Sequence, residues 1–598
     1  MKKIYLFIFI MMLRFGLYAQ TVTFSHSGGF YENSFNLELS CDEAYHIRYT
    51  FDGNRPTANS RLYEAPLTLN ASLYSNANIY QIQISPDDLA YVPDSVSHCI
   101  VIRAAAFDAN DIRVSETVTN TYLIQELGCE NHGIAVVSVC ADSLDLFDYD
   151  TGIFVRGVNW NSSNPDHTGN YYQHGIEWER WANVEFYEPA DNSGINQQCG
   201  LRTHGNRSRR QPAKGMKIYA RDEYGKKRFK HKFFDDTPMN SFNHLVLKPF
   251  ASFWPFSGVQ DYFGNRVAQH LDLDAPHCRP VLLYLNGEFW GIYFIQEKTD
   301  EDFIEDYHGV YPENCNIIGN WAGSVDHGSN TNFKQMMHWF ENADLTNDSN
   351  YDHACRMIDM SNFIDYYVFQ TFIGNWDWPG NNMRCWQEGN GPWRWIFFDG
   401  DDCLRKMNFD VLGNATSTQN LGWPTDSQST LMFRKLLAND NFKSAFYERF
   451  EQLLGSIFTY SHTSPIFEAN AALVRNEVSQ QAERFNLPHS LFSWEYNIAF
   501  IDSFLSERVD NMTNRLEEFF FSVEETQEIA PFVYPNPTNG KIYINYIDNQ
   551  SDINKIHIYD VVGTLVHENI ATTTLDLNLP SGVYFIKIGN STQKIIIK

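Results

Sequence analysis

Asp377 and Asn382 stand five positions apart in the turn Asp377-Trp378-Pro379-Gly380-Asn381-Asn382, and Asp399, Asp401 and Asp402 follow the aromatic run Trp393 to Phe398. A carboxylate can accept or orient a hydroxyl proton. A carboxamide and a second carboxylate can hold magnesium, a hard ion that takes few protein oxygens and keeps waters and phosphate oxygens for the rest. A D-x-x-x-x-N loop followed by a strand and an Asp is therefore an order that phosphoryl transfer can use. The same residue types also make ordinary turns and acidic strand ends.

The complementary charge lies upstream. Between Arg202 and Lys232 there are twelve Lys and Arg against two acids, Asp222 and Glu223. A basic island in an acidic chain reads as an anion site or as a solvated strand face. The turn His204-Gly205-Asn206-Arg207-Ser208 offers backbone N–H groups to a phosphate, and a lysine on the next strand could hold the same phosphates as a point charge.

These groups need elements to position them. Phe363, Tyr366, Tyr367, Phe372 and Ile373 recur at helical spacing, so a buried helix precedes the Asp377 turn, and Trp393 to Phe398 reads as the strand after it. Upstream, Pro280 to Leu285 and Gly291 to Ile295 are strands joined through Asn286-Gly287, a hairpin turn. Strands dominate to Gln296 and helices after Asp300; Ser427 to Leu454 and Phe467 to Phe521 read as packing helices. A strand-rich half followed by a helix-rich half predicts an α+β, two-lobed body over 131–521 with a cleft between its halves.

The rest of the 598 residues fit three or four units. Met1 to Ala19 has the shape of a signal peptide, with Lys2 and Lys3 before an apolar run. Residues 20–127 alternate short strands and turns, including Asp52-Gly53 as a hairpin signal, and predict a small antiparallel sandwich. Residues 522–530 form an acidic linker, and 531–598 is a last set of strands. No later segment is long and apolar enough to span a membrane. A formal net charge of −28 argues against nucleic acid as the partner. The ten cysteines lack any C-x-x-C pair, which removes the usual zinc and redox readings and leaves disulfides or buried thiols open.

Three resemblances follow from longer motifs. Gly28-Gly29-Phe30-Tyr31, Tyr49 to Thr57 and Arg103 to Phe107 resemble the chitobiase/β-hexosaminidase C-terminal-like domain, which implies an immunoglobulin-like β-sandwich and transfers no catalytic residue. Tyr534-Pro535-Asn536-Pro537, Ile558 to Gly563 and Leu579 to Tyr584 resemble the type A sorting domain of the type IX (Por) secretion system. That implies a small C-terminal β-sandwich and a Bacteroidetes-type protein exported through the periplasm to the surface or medium, with the secretion machinery as a partner. Arg202 to Lys214, Phe233-Phe234-Asp235, Leu285 to Tyr293, Asn375 to Asn382 and Trp395 to Asp399 together resemble the spore-coat CotH kinase family.

This last resemblance implies an atypical protein-kinase-like fold that transfers phosphate from ATP with Mg2+ or Mn2+. Carried over by position, it implies Lys214 as the ATP-phosphate lysine with Lys217 as its neighbour, Ser208 and Arg209 in the turn over the nucleotide, and Asp377 as the catalytic-loop aspartate. Asn382 and Asp399 would ligate metal, with Asp401 second to Asp399, and Glu297 and Asp300 fall where a kinase has its hinge. No G-x-G-x-x-G loop is present, and Asp261 is the candidate for the helix acid that pairs with the strand lysine. The expected reaction is Mg-dependent phosphoryl transfer to a hydroxyl on a secreted or surface protein. A non-catalytic, glycan-associated surface scaffold and AMP transfer at the same site are the alternatives. H-E-x-x-H, G-x-S-x-G and EF-hand patterns are absent.

Overall fold

The computed structural model describes residues 21–86, 89, 91–250, 256–419, 425–521, 533–544, 555–570, 573–588 and 591–598. The expected signal peptide and the 522–530 linker lie outside them. The chain divides into two units, Met1–Asn514 and Arg515–Lys598.

The first unit is organised round a closed seven-stranded barrel. Its strands are β1 (Ala135–Ala141), β2 (Arg180–Tyr187), β3 (Gly194–His204), β4 (Gly215–Tyr219), β5 (His244–Pro249), β6 (Cys278–Leu285) and β7 (Glu288–Gln296), in the order β1-β2-β3-β4-β5-β7-β6. Alternation decides which residues face inward: Val137 and Val139, Val184 and Phe186, Met216 and Ile218, Leu245 and Leu247, Leu283 and Leu285, and Tyr293 and Ile295 fill the interior. On β5 that leaves His244, Val246 and Lys248 on the outer face.

Most pairings are antiparallel, and the barrel closes through a parallel one, Val137 opposite Leu283. The β6–β7 hairpin turns through Asn286 and Gly287, both at positive φ, as an Asn-Gly turn requires. Asn286 is fully buried, and its side chain exchanges two 2.9 Å hydrogen bonds with the Ala141 backbone, which fixes the hairpin to β1.

In the N-terminal region, a five-stranded sheet runs in the order Gly29–Tyr31, Val118–Ile124, Ile100–Phe107, His46–Thr50, Arg61–Leu62, and two further two-stranded ladders pack round the same core. Asp52-Gly53 is not a two-residue hairpin: the strands it separates pair across the longer loop 51–60. Gly53 serves another purpose, since at φ +82 a Cβ there would stand 2.1 Å from the Asn286 side chain.

The N-terminal sheet is bonded into the barrel. The Phe289 N–H donates to Ser97 O and the Cys99 N–H to Gly287 O. The buried Glu288 accepts the Ile79 and Tyr80 N–H groups at 2.8 Å each. The buried Glu185 accepts the Thr121 N–H and the Tyr187 hydroxyl.

Helices dominate after the barrel. α1 (Gln260–Ala268) lies between β5 and β6 in the chain, α2 (Glu301–His308) follows β7, and α3 (Met360–Phe372) is the buried helix before the Asp377 turn, with the Asp359 side chain accepting from the Asn362 N–H at its start. The expected strand after the turn shortens to Arg394–Ile396, because the Phe397 N–H leaves the ladder for Asp274 O. The two long packing helices break into shorter ones. Asn439 caps a new start before Asp440–Leu454. Residues 486–490, with Asn486 at positive φ and then Pro488, separate α4 (Val478–Phe485) from α5 (Leu491–Phe521).

In the second unit, Val533–Tyr534, Lys541–Ile544 and Thr574–Asp576 form one sheet, and Leu565–Ile570, Lys555–Tyr559, Gly582–Ile588 and Ser591–Ile597 another, over one apolar core. All ten cysteines are free thiols. Among the described residues no helix is long and apolar enough to cross a membrane.

Candidate active site

Lys248 projects from the outer face of β5 between two carboxylates. Its Nζ donates to Asp261 Oδ2 at 2.8 Å and to Asp399 Oδ1 at 2.6 Å. Asp261 opens α1, and its second oxygen accepts the Gly400 N–H at 2.7 Å, so the helix acid fixes both the lysine and the chain just past Asp399. Asp399 adopts φ +58, a costly conformation for a residue with a Cβ, and such strain gathers where geometry serves function.

The Asp377 turn joins this cluster through Asn382. The Asn382 amide nitrogen donates to Asp377 Oδ2 and to Asp399 O, both at 3.1 Å, and Asn381 donates to the same Asp377 oxygen at 2.6 Å. Since Asn382 spends its nitrogen on these bonds, it presents its oxygen, the atom a hard cation takes. Asn382 is itself at φ +51.

Asp401 completes the group and lines a small cleft together with Lys248, Asp261, Phe250, Gln260 and Phe294. Burial pushes its carboxyl well above the usual range, with Asp399 adding to the rise and Lys248 opposing it. Burial alone would lower the Lys248 ammonium, but Asp261, Asp399 and Asp401 together raise it well above its ordinary value. One cation among four carboxylates, counting Asp377, leaves excess negative charge in a half-buried site. Asp399, Asp401 and the Asn382 oxygen are the donor types magnesium or manganese takes, so these residues fit a divalent ion.

The other expected residues lie elsewhere. Lys214 is fully buried, and its Nζ donates to Arg209 O at 2.7 Å and Gln211 O at 3.0 Å, over the Tyr171 ring. Burial lowers its ammonium well below the ordinary value. Arg209 closes its own turn by donating to Gly205 O and Tyr171 O. A Cβ on Gly205 would meet Ser208 Oγ at 2.5 Å, so Ser208 packs against the turn's glycine.

Lys217 lies 3.6 Å from Asp300, which also pairs with His244 and Lys298. Burial brings Lys217 down to about 7, helped by Lys298. His244, Asp300 and Asp302 come within ligand distance of one another. With two ammonium groups on the central carboxylate, they form an ion-pair cluster at the start of α2. Glu297 accepts the His277 N–H and the Tyr307 hydroxyl, and burial lifts it to about 7.

The residue the sequence reading missed is Lys248. It stands outside the basic island, in the apolar run Leu245-Val246-Leu247-Lys248. A lysine on a buried strand just before a helix that opens with an acid was the available signal.

The family model described as CotH kinase protein matches residues 201–512, just over half of the 598-residue chain. The chain belongs to the CotH kinase protein family. The CotH kinase match takes in Lys248, Asp261, Asp377, Asn382 and Asp399, and it starts within β3. Two further models match outside it: the chitobiase/beta-hexosaminidase C-terminal domain over residues 26–80 and the secretion system C-terminal sorting domain over 532–598. The sorting domain marks this CotH kinase family member for export by the type IX secretion machinery, to the cell surface or the medium. No curated protein matches the chain.

Proposed function

We propose that this protein is an exported kinase that transfers the γ-phosphate of ATP to a protein hydroxyl, with Lys248, Asp261, Asp377, Asn382 and Asp399 as its working residues. The observation that carries the reading is the Lys248 ammonium shared between Asp261 and Asp399. Kinases require both a strand lysine paired with a helix acid and a metal-holding aspartate at the same phosphates. The chain order supports it as well: strand lysine, helix acid, hairpin, buried helix, D-x-x-x-x-N loop, strand, Asp. On this reading the barrel and the helical half are the two lobes.

Lys248 binds the ATP phosphates as a point charge, and Asp261 holds it in place. Asp377, held by Asn381 and Asn382, orients the acceptor hydroxyl and takes its proton onto the carboxylate. Asn382, Asp399 and Asp401 would hold the magnesium or manganese ion, which when bound neutralises the phosphate oxygens. Lys217 lies opposite Val246 in the barrel ladder, so Lys217 and His244 share the outer barrel face with Lys248 and extend its positive charge along that face.

The test is metal-dependent nucleotide binding by calorimetry. Wild-type protein should bind ATP only with the divalent ion present, and Asp399→Ala should lose that dependence without a change in folding. Equal binding by Asp399→Ala would remove the site assignment.

A further inference from the structure

Arg508 of α5 lies behind the candidate site and is only 1% exposed. Its Nε donates to Phe372 O and one Nη to Thr371 O, both at 2.7 Å, and the other Nη reaches Met407 O at 3.2 Å. The first two carbonyls close α3, which leads into the Asp377 turn, and the third lies in the segment that follows Asp399. One guanidinium thus ties the two halves of the site together, from an element more than a hundred residues further along the chain. The end of α3 is also where the helix dipole favours a cation.

The same two segments are linked beside it. The Leu404 N–H donates to Ile373 O at 2.8 Å and the Trp376 N–H to Asp402 O at 3.3 Å, while Gln260 of α1 holds Cys403 O at 3.0 Å. Leu404 is fully buried at φ +58, a conformation that costs a residue with a Cβ and is kept where the surroundings over-determine it. Asp399 has its own hold, through Lys248 and through the Asp261 bond to Gly400. In front, Asn382 links Asp377 to Asp399 O; behind, Arg508 fixes how the two segments stand to each other. Resting on the kinase reading of the site, we propose that Arg508 is a positioning residue for phosphoryl transfer, which sets the Asp377 turn against Asp399 through the Thr371, Phe372 and Met407 carbonyls. A lysine there keeps the charge but lacks the planar fork that meets carbonyls from two segments at once.

The test compares the full chain with its Arg508→Lys and Gly374→Ala variants by amide hydrogen exchange, calorimetric ATP binding with magnesium, and transfer of γ-labelled phosphate to casein. In Arg508→Lys, exchange across 371–377 and 402–407 should quicken together by about tenfold or more, while β5 keeps wild-type rates. kcat should fall by about tenfold or more, because a small misplacement of a catalytic group is costly, whereas Kd and KM for ATP should stay within about twofold. Gly374→Ala places a Cβ at φ +63, 3.5 Å from Arg508 Nη2, and removes no buried side chain. It should lower kcat in the same way even where Arg508→Lys folds poorly. Unchanged exchange in either segment, faster exchange with wild-type kcat, or a loss of ATP binding in step with kcat would each overturn the proposal. Wild-type protein that binds ATP but transfers no phosphate would instead remove the kinase reading, and the positioning role with it.

Discussion

Two lysines compete for one role, and their surroundings separate them. Lys214 rests on backbone carbonyls and an aromatic ring, with no acid in contact among the described residues, whereas Lys248 bridges two carboxylates that converge from α1 and from the end of a strand. Lys248→Met should therefore cut phosphoryl transfer by about a hundredfold or more, the scale of losing one preorganised charge at a reacting centre. Lys214→Met should leave transfer within about twofold of wild type and leave stability unchanged or slightly raised, because an apolar chain of similar length replaces an unpaired buried cation. Initial rates and melting temperatures of the two variants, measured side by side, check both statements.

At the scale of elements, the N-terminal sheet and the barrel share a buried seam, and that seam titrates. Burial pushes Glu185 up to about 7 from its ordinary 4.5, against the hydrogen bonds from Thr121 and Tyr187. A carboxyl raised in the folded state binds its proton more tightly there than in the unfolded chain. Its contribution is thus fully present below pH 4.5 and is lost as pH rises through 7, a change on the order of 3 kcal/mol. Denaturant unfolding of wild type should show that slope between pH 4.5 and 7, and Glu185→Gln should flatten it. Gly53→Ala tests the same seam sterically. With φ +82 and Asn286 Cγ 2.1 Å from the new Cβ, it should cost ~1–3 kcal/mol in the same assay.

Local elements were legible where their cause is local: the Asn286-Gly287 hairpin, the helix before Asp377, the alternation of the barrel strands. The closing of the barrel was not, because β1 and β6 meet across more than a hundred residues with no local mark of it. The site was half legible for the same reason. Asp377, Asn382 and Asp399 lie close together in sequence and share a motif. Lys248 and Asp261 join them only through the fold, while the basic island around Lys214 spends Arg209, Arg210 and Lys214 on its own turn and its neighbours.

The whole chain behaves as two units with different tasks. Removing 532–598 should leave the melting temperature of the remaining protein unchanged while abolishing its export, as cell fractionation would show. Deleting 21–127 should instead unfold or aggregate the body, since Glu185 and Glu288 would lose their buried partners. Activity assays therefore belong on residues 21–521 together. The most direct test of the central claim is incubation of that body with magnesium and ATP labelled on either the γ or the α phosphate, beside Asp399→Ala and Lys248→Met. The account predicts label on protein from the γ position alone, lost in both variants. Label from the α position would mean AMP transfer, and γ transfer that survives in Asp399→Ala or Lys248→Met would contradict the site itself.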